Sequence, residues 1–80
     1  MAIEQPDPID IIVGNNIRSR RKMLKISQSE LASHLGVTFQ QVQKYERGTN
    51  RVSASKLWYT AEKLDCTVMD FFDGAEAMPD

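Results

Sequence analysis

Residues 27–48 read SQSELASHLGVTFQQVQKYERG, and two helix starts lie inside them. Ser27 and Glu30 stand in the S-x-x-E arrangement, where each side chain can satisfy a backbone N–H of the first turn. Leu31, Ala32 and Leu35 then recur at helical spacing and define one inward face. Gly36 supplies the residue that most easily takes the left-handed conformation at a helix end. Directly after it, Thr38 and Gln41 repeat the capping pattern as T-x-x-Q, so a second helix starts about three residues beyond the first and runs to Gly48. A break this short cannot return the chain antiparallel, and the two helices are expected to cross steeply.

Such a pair is a helix-turn-helix. Upstream of it, Asp7-Pro8 can serve as N-cap and first helical residue with Asp10 in the first turn. Ile9, Ile12, Val13, Ile17 and Leu24 then make one apolar stripe. Gly14 and Asn15 interrupt this stripe with weak helix formers, which also allows a start nearer Asn16. The isoleucine-rich start either covers the core or packs against a second subunit. Downstream, Ser53 is an N-cap for a helix with Leu57, Ala61 and Leu64 inward, flanked by Trp58, which is expected in the core. Thr67 with Asp70 starts a fifth short helix whose Val68, Phe71 and Phe72 close the core. Asp73-Gly74 stops it, and a frayed tail follows. Nothing reads as a strand. The expected fold is all-α: a compact bundle of five short helices.

Eighty residues form one domain, near the lower limit for a core without staples. The single cysteine, Cys66, excludes an internal disulfide framework or a cysteine-based zinc cluster. No apolar run approaches the roughly 20 residues of a membrane span. The opening MAIEQPDPID lacks the basic and apolar regions of a secretory signal. A cytoplasmic location without membrane attachment is expected.

The net charge of −1 conceals a segregation. Gly14 to Arg51 carries eight Lys and Arg (residues 18, 20, 21, 22, 25, 44, 47 and 51) against Glu30 and Glu46 alone. Both flanks are acidic. A local basic patch can hold a polyanion, because attraction decays over about 8 Å at physiological salt.

On the helix after Thr38, a rotation of about 100° per residue puts Val42 and Tyr45 on the core side. Gln40, Gln43, Lys44 and Arg47 fall together on the opposite arc. Glutamine donates and accepts at once, which matches the N6/N7 edge of adenine; lysine and arginine reach guanine O6/N7 or phosphates. No carboxylate lies on this arc to repel DNA. Glutamines and lysines are also ordinary on solvated helix faces, so it is the combination with the capping pattern, the tight turn and the basic segment that points to a duplex.

Ile17 to Phe72, IRSRRKMLKISQSELASHLGVTFQQVQKYERGTNRVSASKLWYTAEKLDCTVMDFF, resembles the phage-repressor or Xre/Cro type of helix-turn-helix DNA-binding domain. The resemblance is carried by S-Q-x-E-L-A, then G-V-x, then Y-E-R-G. FQQVQKYERGTNRVSASKLW is similar to small alpha-proteobacterial transcriptional regulators. The family implies a lambda-repressor-like five-helix domain, a homodimer on operator DNA and control of transcription, with repression favoured. On this basis residues 1–16 form an N-terminal extension leading into the first helix. Residues 17–72 form the domain, with the helix-turn-helix at about 28–47, and 73–80 a short acidic tail.

The resemblance assigns base contacts to Phe39, Gln40, Gln43 and Lys44, and DNA-backbone contacts to Gln28, Thr38, Arg47, Asn50 and Arg51. It also implies an ion pair, Arg21 with Glu46, joining the first helix to the third. Phe39 departs from the polar residue often found at its position. It either touches a thymine methyl or folds back onto the domain.

His34 has no second histidine or cysteine near it, and no metal site is expected. Nothing suggests a cofactor, a small-molecule ligand or catalysis: there is no carboxylate pair, phosphate loop or triad. Tyr59 points outward and is a candidate for a dimer surface. The rival to a DNA-binding regulator is an antitoxin or adaptor that uses the same fold mainly to bind another protein.

Overall fold

The computed structural model describes residues 5–77. Four α-helices, α1 (Pro8–Met23), α2 (Gln28–Leu35), α3 (Phe39–Arg47) and α4 (Ala54–Lys63), are followed by a 3₁₀ helix at Val68–Phe72 and a 3₁₀ turn at Ala75–Ala77. None of the described residues is in a strand. The expected extension and acidic tail reach, at residues 1–4 and 78–80, outside the described residues.

Capping residues set nearly every boundary. Asp7 accepts the N–H of Ile9, with Pro8 in the first turn. Ser27 and Glu30 make both bonds of the capping box. Thr38 Oγ1 accepts from the N–H of Gln41, but the reciprocal bond expected of T-x-x-Q is absent, because Gln41 Oε1 accepts from Asn50 instead. Ser53 caps α4 through the N–H of Lys56. Thr67 and Asp70 form a second complete box, and the N–H of Thr67 holds the Asp70 carboxyl below its ordinary range.

Helix α1 runs through Gly14 and Asn15 without a break, starting at Pro8 rather than near Asn16. The glycine is there for a crossing. A Cβ on Gly14 would sit 2.3 Å from the carbonyl oxygen of Tyr45 and 2.8 Å from that of Glu46. Only a bare Cα lets α1 pass this close over the end of α3.

The core is Val13, Ile17, Leu31, Ala32, Leu35, Val42, Tyr45, Ala61, Leu64 and Phe71. Of the isoleucine-rich start, Ile9 packs against the edge of the core and Ile12 is half-buried, while Ile11 is exposed. Leu24 does not join the stripe: α1 has ended, and as its C-cap residue Leu24 is exposed. Trp58 departs further from expectation, at 62% exposed. The buried line of α4 is Thr60, Ala61 and Leu64, with Leu57 half-buried, and the indole projects outside it. Thr60 can be buried because its hydroxyl donates to the Lys56 carbonyl one turn back.

Polar side chains close the seams between helices. Arg20 donates to the carbonyls of Leu64 and Asp65 at the end of α4. Lys56 donates to that of Leu35 at the end of α2, and Asn16 to those of Phe71 and Asp73. Cations at a helix C-terminus satisfy orphan carbonyls and oppose the negative end of the helix dipole.

Candidate nucleic-acid interface

Helix α3 takes its orientation from three buried residues, Val42, Tyr45 and Glu46. With these inside, Gln40, Lys44 and Arg47 are exposed and Gln43 is half-buried at the edge of the arc. Phe39 is 43% exposed and stands apart from the core. Thr38 and Gly48 bound the helix, Gly48 in the left-handed region at φ +77°. The outward arc therefore presents amide, ammonium and guanidinium groups, while the only acid of α3 is turned in.

That acid is fully engaged. Arg21 grips Glu46 with two bonds, Nε to Oε2 at 2.6 Å and Nη2 to Oε1 at 3.0 Å. Its Nη1 reaches the carbonyl of Ile26, which ties in the turn before α2. The pair is buried, with side-chain exposures of 10% and 2%. Gln28 completes the cluster, its Nε2 donating to Glu46 Oε1 at 3.0 Å. One carboxylate thus links α1, α2 and α3 and fixes the angle at which α3 stands out.

The residues expected at the DNA backbone divide. Thr38 and Arg47 are exposed at the two ends of α3. Gln28 is half-buried, with its amide donating to Glu46. Asn50 is turned the other way: it is 7% exposed and donates to Gln41, and its Oδ1 is buried without a partner. Just before it, Gly48 lies so close to α1 that a Cβ would meet the Ile11 backbone at 2.8 Å. The Asn50 side chain thus faces inward, toward Gln41. Arg51 stays outside, paired with Asp10 at 2.8 Å. That hydrogen bond, with the Asp10 charge, raises the guanidinium pKa further.

The basic segment is correspondingly reduced. Arg20 and Arg21 are spent on structure and Arg51 is paired with Asp10, which leaves Arg18, Lys22, Lys25, Lys44 and Arg47 without a carboxylate partner among the described residues. The sequence marks Arg18 only by its charge and Asn15 only as a weak helix former. Both come to a cleft of about 490 Å³ beside α3, lined by Asn15, Arg18, Gln28, Gln43, Glu46 and Arg47. Their i, i+3 spacing directly after Gly14 was the signal, but its meaning depends on the crossing.

Among the described residues no helix is long and apolar enough to cross a membrane. No group of three or more His, Cys, Asp or Glu there could hold a metal.

The sequence profile of the family described as helix-turn-helix matches residues 17–71. An uncharacterized HTH-type transcriptional regulator of Sinorhizobium medicae is 54% identical over 72 residues, covering 90% of this chain and 52% of that protein. The chain thus spans about half the length of this curated relative. The clp gene regulator ClgR of Corynebacterium glutamicum superposes with a TM-score of 0.81 at 25% identity, over 91% of this chain and 78% of that one. The P22 c2 repressor, solved in complex with a synthetic operator, gives a TM-score of 0.71 at 31% identity, over 78% and 94%.

Proposed function

The chain belongs to the helix-turn-helix family, and on that premise we propose that it binds double-stranded DNA sequence-specifically and regulates transcription, as a homodimeric repressor. One observation carries the proposal: α3 projects an acid-free arc of Gln40, Gln43, Lys44 and Arg47 while its single acid is buried under Arg21. The α3 arc enters the major groove. Gln40 and Gln43 read base edges, Lys44 reaches guanine or phosphate, and exposed Phe39 meets a thymine methyl. Thr38 and Arg47 hold the backbone at either end of the helix and set register. Two such helices in a homodimer would read half-sites about 34 Å apart. The operator-bound P22 c2 repressor and the regulators among the relatives support this reading.

Selection from a random pool of duplexes tests it. Enriched, two-fold symmetric sites are expected, bound with an affinity that falls steeply as salt rises. Gln40→Ala should cost about 1–3 kcal/mol of discrimination at one base pair and spare the others. Absence of binding to any duplex at about 50 mM salt would refute DNA binding and favour the antitoxin or adaptor role.

A further inference from the structure

The cleft between α1, α2 and α3 shares Gln43 and Arg47 with the interface drawn from α3 and adds to it Asn15 and Arg18 of α1. Its position follows from the Gly14 crossing, which lays α1 against the last turn of α3 and brings Asn15 and Arg18 alongside Gln43 and Arg47. The floor contains a carboxylate, yet it repels no anion, because Glu46 is already gripped by two bonds from Arg21 and one from Gln28. Arg18 and Arg47 line the same cleft, both exposed and with no carboxylate partner among the described residues. The remaining walls are the amides of Asn15, Gln28 and Gln43, which supply N–H donors. Two planar cations and several amide donors around an open polar cleft suit a group with charge and several acceptor oxygens.

We propose that this cleft is a phosphate-binding site in which Arg18 on α1 and Arg47 on α3 take one phosphodiester of the DNA backbone between them, Asn15 adding an amide donor. The proposal rests on the DNA-binding reading and deepens it. It makes α1 part of the interface, and it gives Arg18 a role in affinity and register rather than in base choice. The charge of Arg18 is exposed in the free protein because its partner is external.

The test is a salt titration of the wild-type chain, Arg18→Ala and Arg18→Lys on a selected duplex and a random one. Circular-dichroism melts establish that each variant is folded, as expected for an exposed side chain. Arg18→Ala should weaken binding to both duplexes by about tenfold near 0.15 M salt and lower the slope of log K against log salt by roughly one. Arg18→Lys keeps the charge and should restore the slope, with only part of the affinity because it cannot grip bidentately. The proposal is overturned if Arg18→Ala binds as tightly as wild type with an unchanged slope, or if its loss is confined to the selected duplex. Failure of the wild-type chain to bind any duplex is a different result and removes the DNA-binding reading itself.

Discussion

Among the described residues, two arginine–carboxylate pairs lie in contrasting settings. Arg21–Glu46 is buried between α1 and α3, made by two bonds and joined by Gln28 and the Ile26 carbonyl. Arg51–Asp10 is a single contact of similar length, but the Arg51 side chain is 67% exposed. The first pair orients a helix and the second ties a loop to the first turn of α1. Distance alone would rank them as near equals. Solvent separates them: a buried charge whose partner is removed has nowhere to find compensation, whereas an exposed one finds water.

The largest effect should come from breaking the buried pair on one side. Glu46→Ala leaves the Arg21 guanidinium enclosed and Gln28 without its acceptor. A loss of about 3–5 kcal/mol in urea unfolding is expected, a large share of what an 80-residue domain possesses. Removing both charges at once, as Arg21→Met with Glu46→Leu, should return most of that stability. If it does, the pair orients α3 more than it stabilises the fold, and DNA affinity should remain impaired in the stable double variant. A double variant as unstable as Glu46→Ala would show that the pair itself is net stabilising.

The buried pair was legible before the structure only through family resemblance; charge counting alone had placed Arg20, Arg21 and Glu46 in one undivided basic segment. The helix boundaries were legible for a firmer reason. Ser27, Thr38, Ser53 and Thr67 act within three residues of themselves, so local sequence contains both the donor and the acceptor. What escaped was decided across the fold. Gln41 looked like the second half of a capping box and is drawn to Asn50, nine positions on. Trp58 looked like core because it flanks the stripe of Leu57, Ala61 and Leu64, yet Thr60, Ala61 and Leu64 already fill the inner line of α4. Asn15 and Arg18 acquire meaning only where α1 meets α3.

That crossing gives an intermediate effect and separates geometry from charge. Gly14→Ala should gain about 1 kcal/mol of helix propensity, against a contact of 2.3 Å with the Tyr45 carbonyl that only backbone movement can relieve. Overpacking of this kind costs about 1–3 kcal/mol or more, so the variant should be less stable than wild type in spite of its better helix former. Every charge of the buried pair is still present, but α1 must move off α3. Stability equal to or above wild type would show that the crossing adapts freely and does not set the position of Arg21 or the cleft.

The smallest effect on stability belongs to Asp10→Asn, and there the two pairs should part most clearly. The exposed contact competes with bulk water, so the melting temperature should stay within error of wild type. DNA binding should move the other way from Glu46→Ala. Arg51 lies in the loop after the proposed reading helix, where the family resemblance expects a phosphate contact, and in the free protein its guanidinium is held by Asp10. Removing the carboxylate takes away both that competitor and a charge repelled by DNA. Affinity should therefore rise, by less than about fivefold, on selected and random duplexes alike, and the gain should shrink as salt screens the competing charge. A melting temperature lowered as far as by Glu46→Ala would erase the contrast between the pairs. Unchanged affinity at low salt would leave Arg51 a tether for its loop, with its cation pointing away from the duplex.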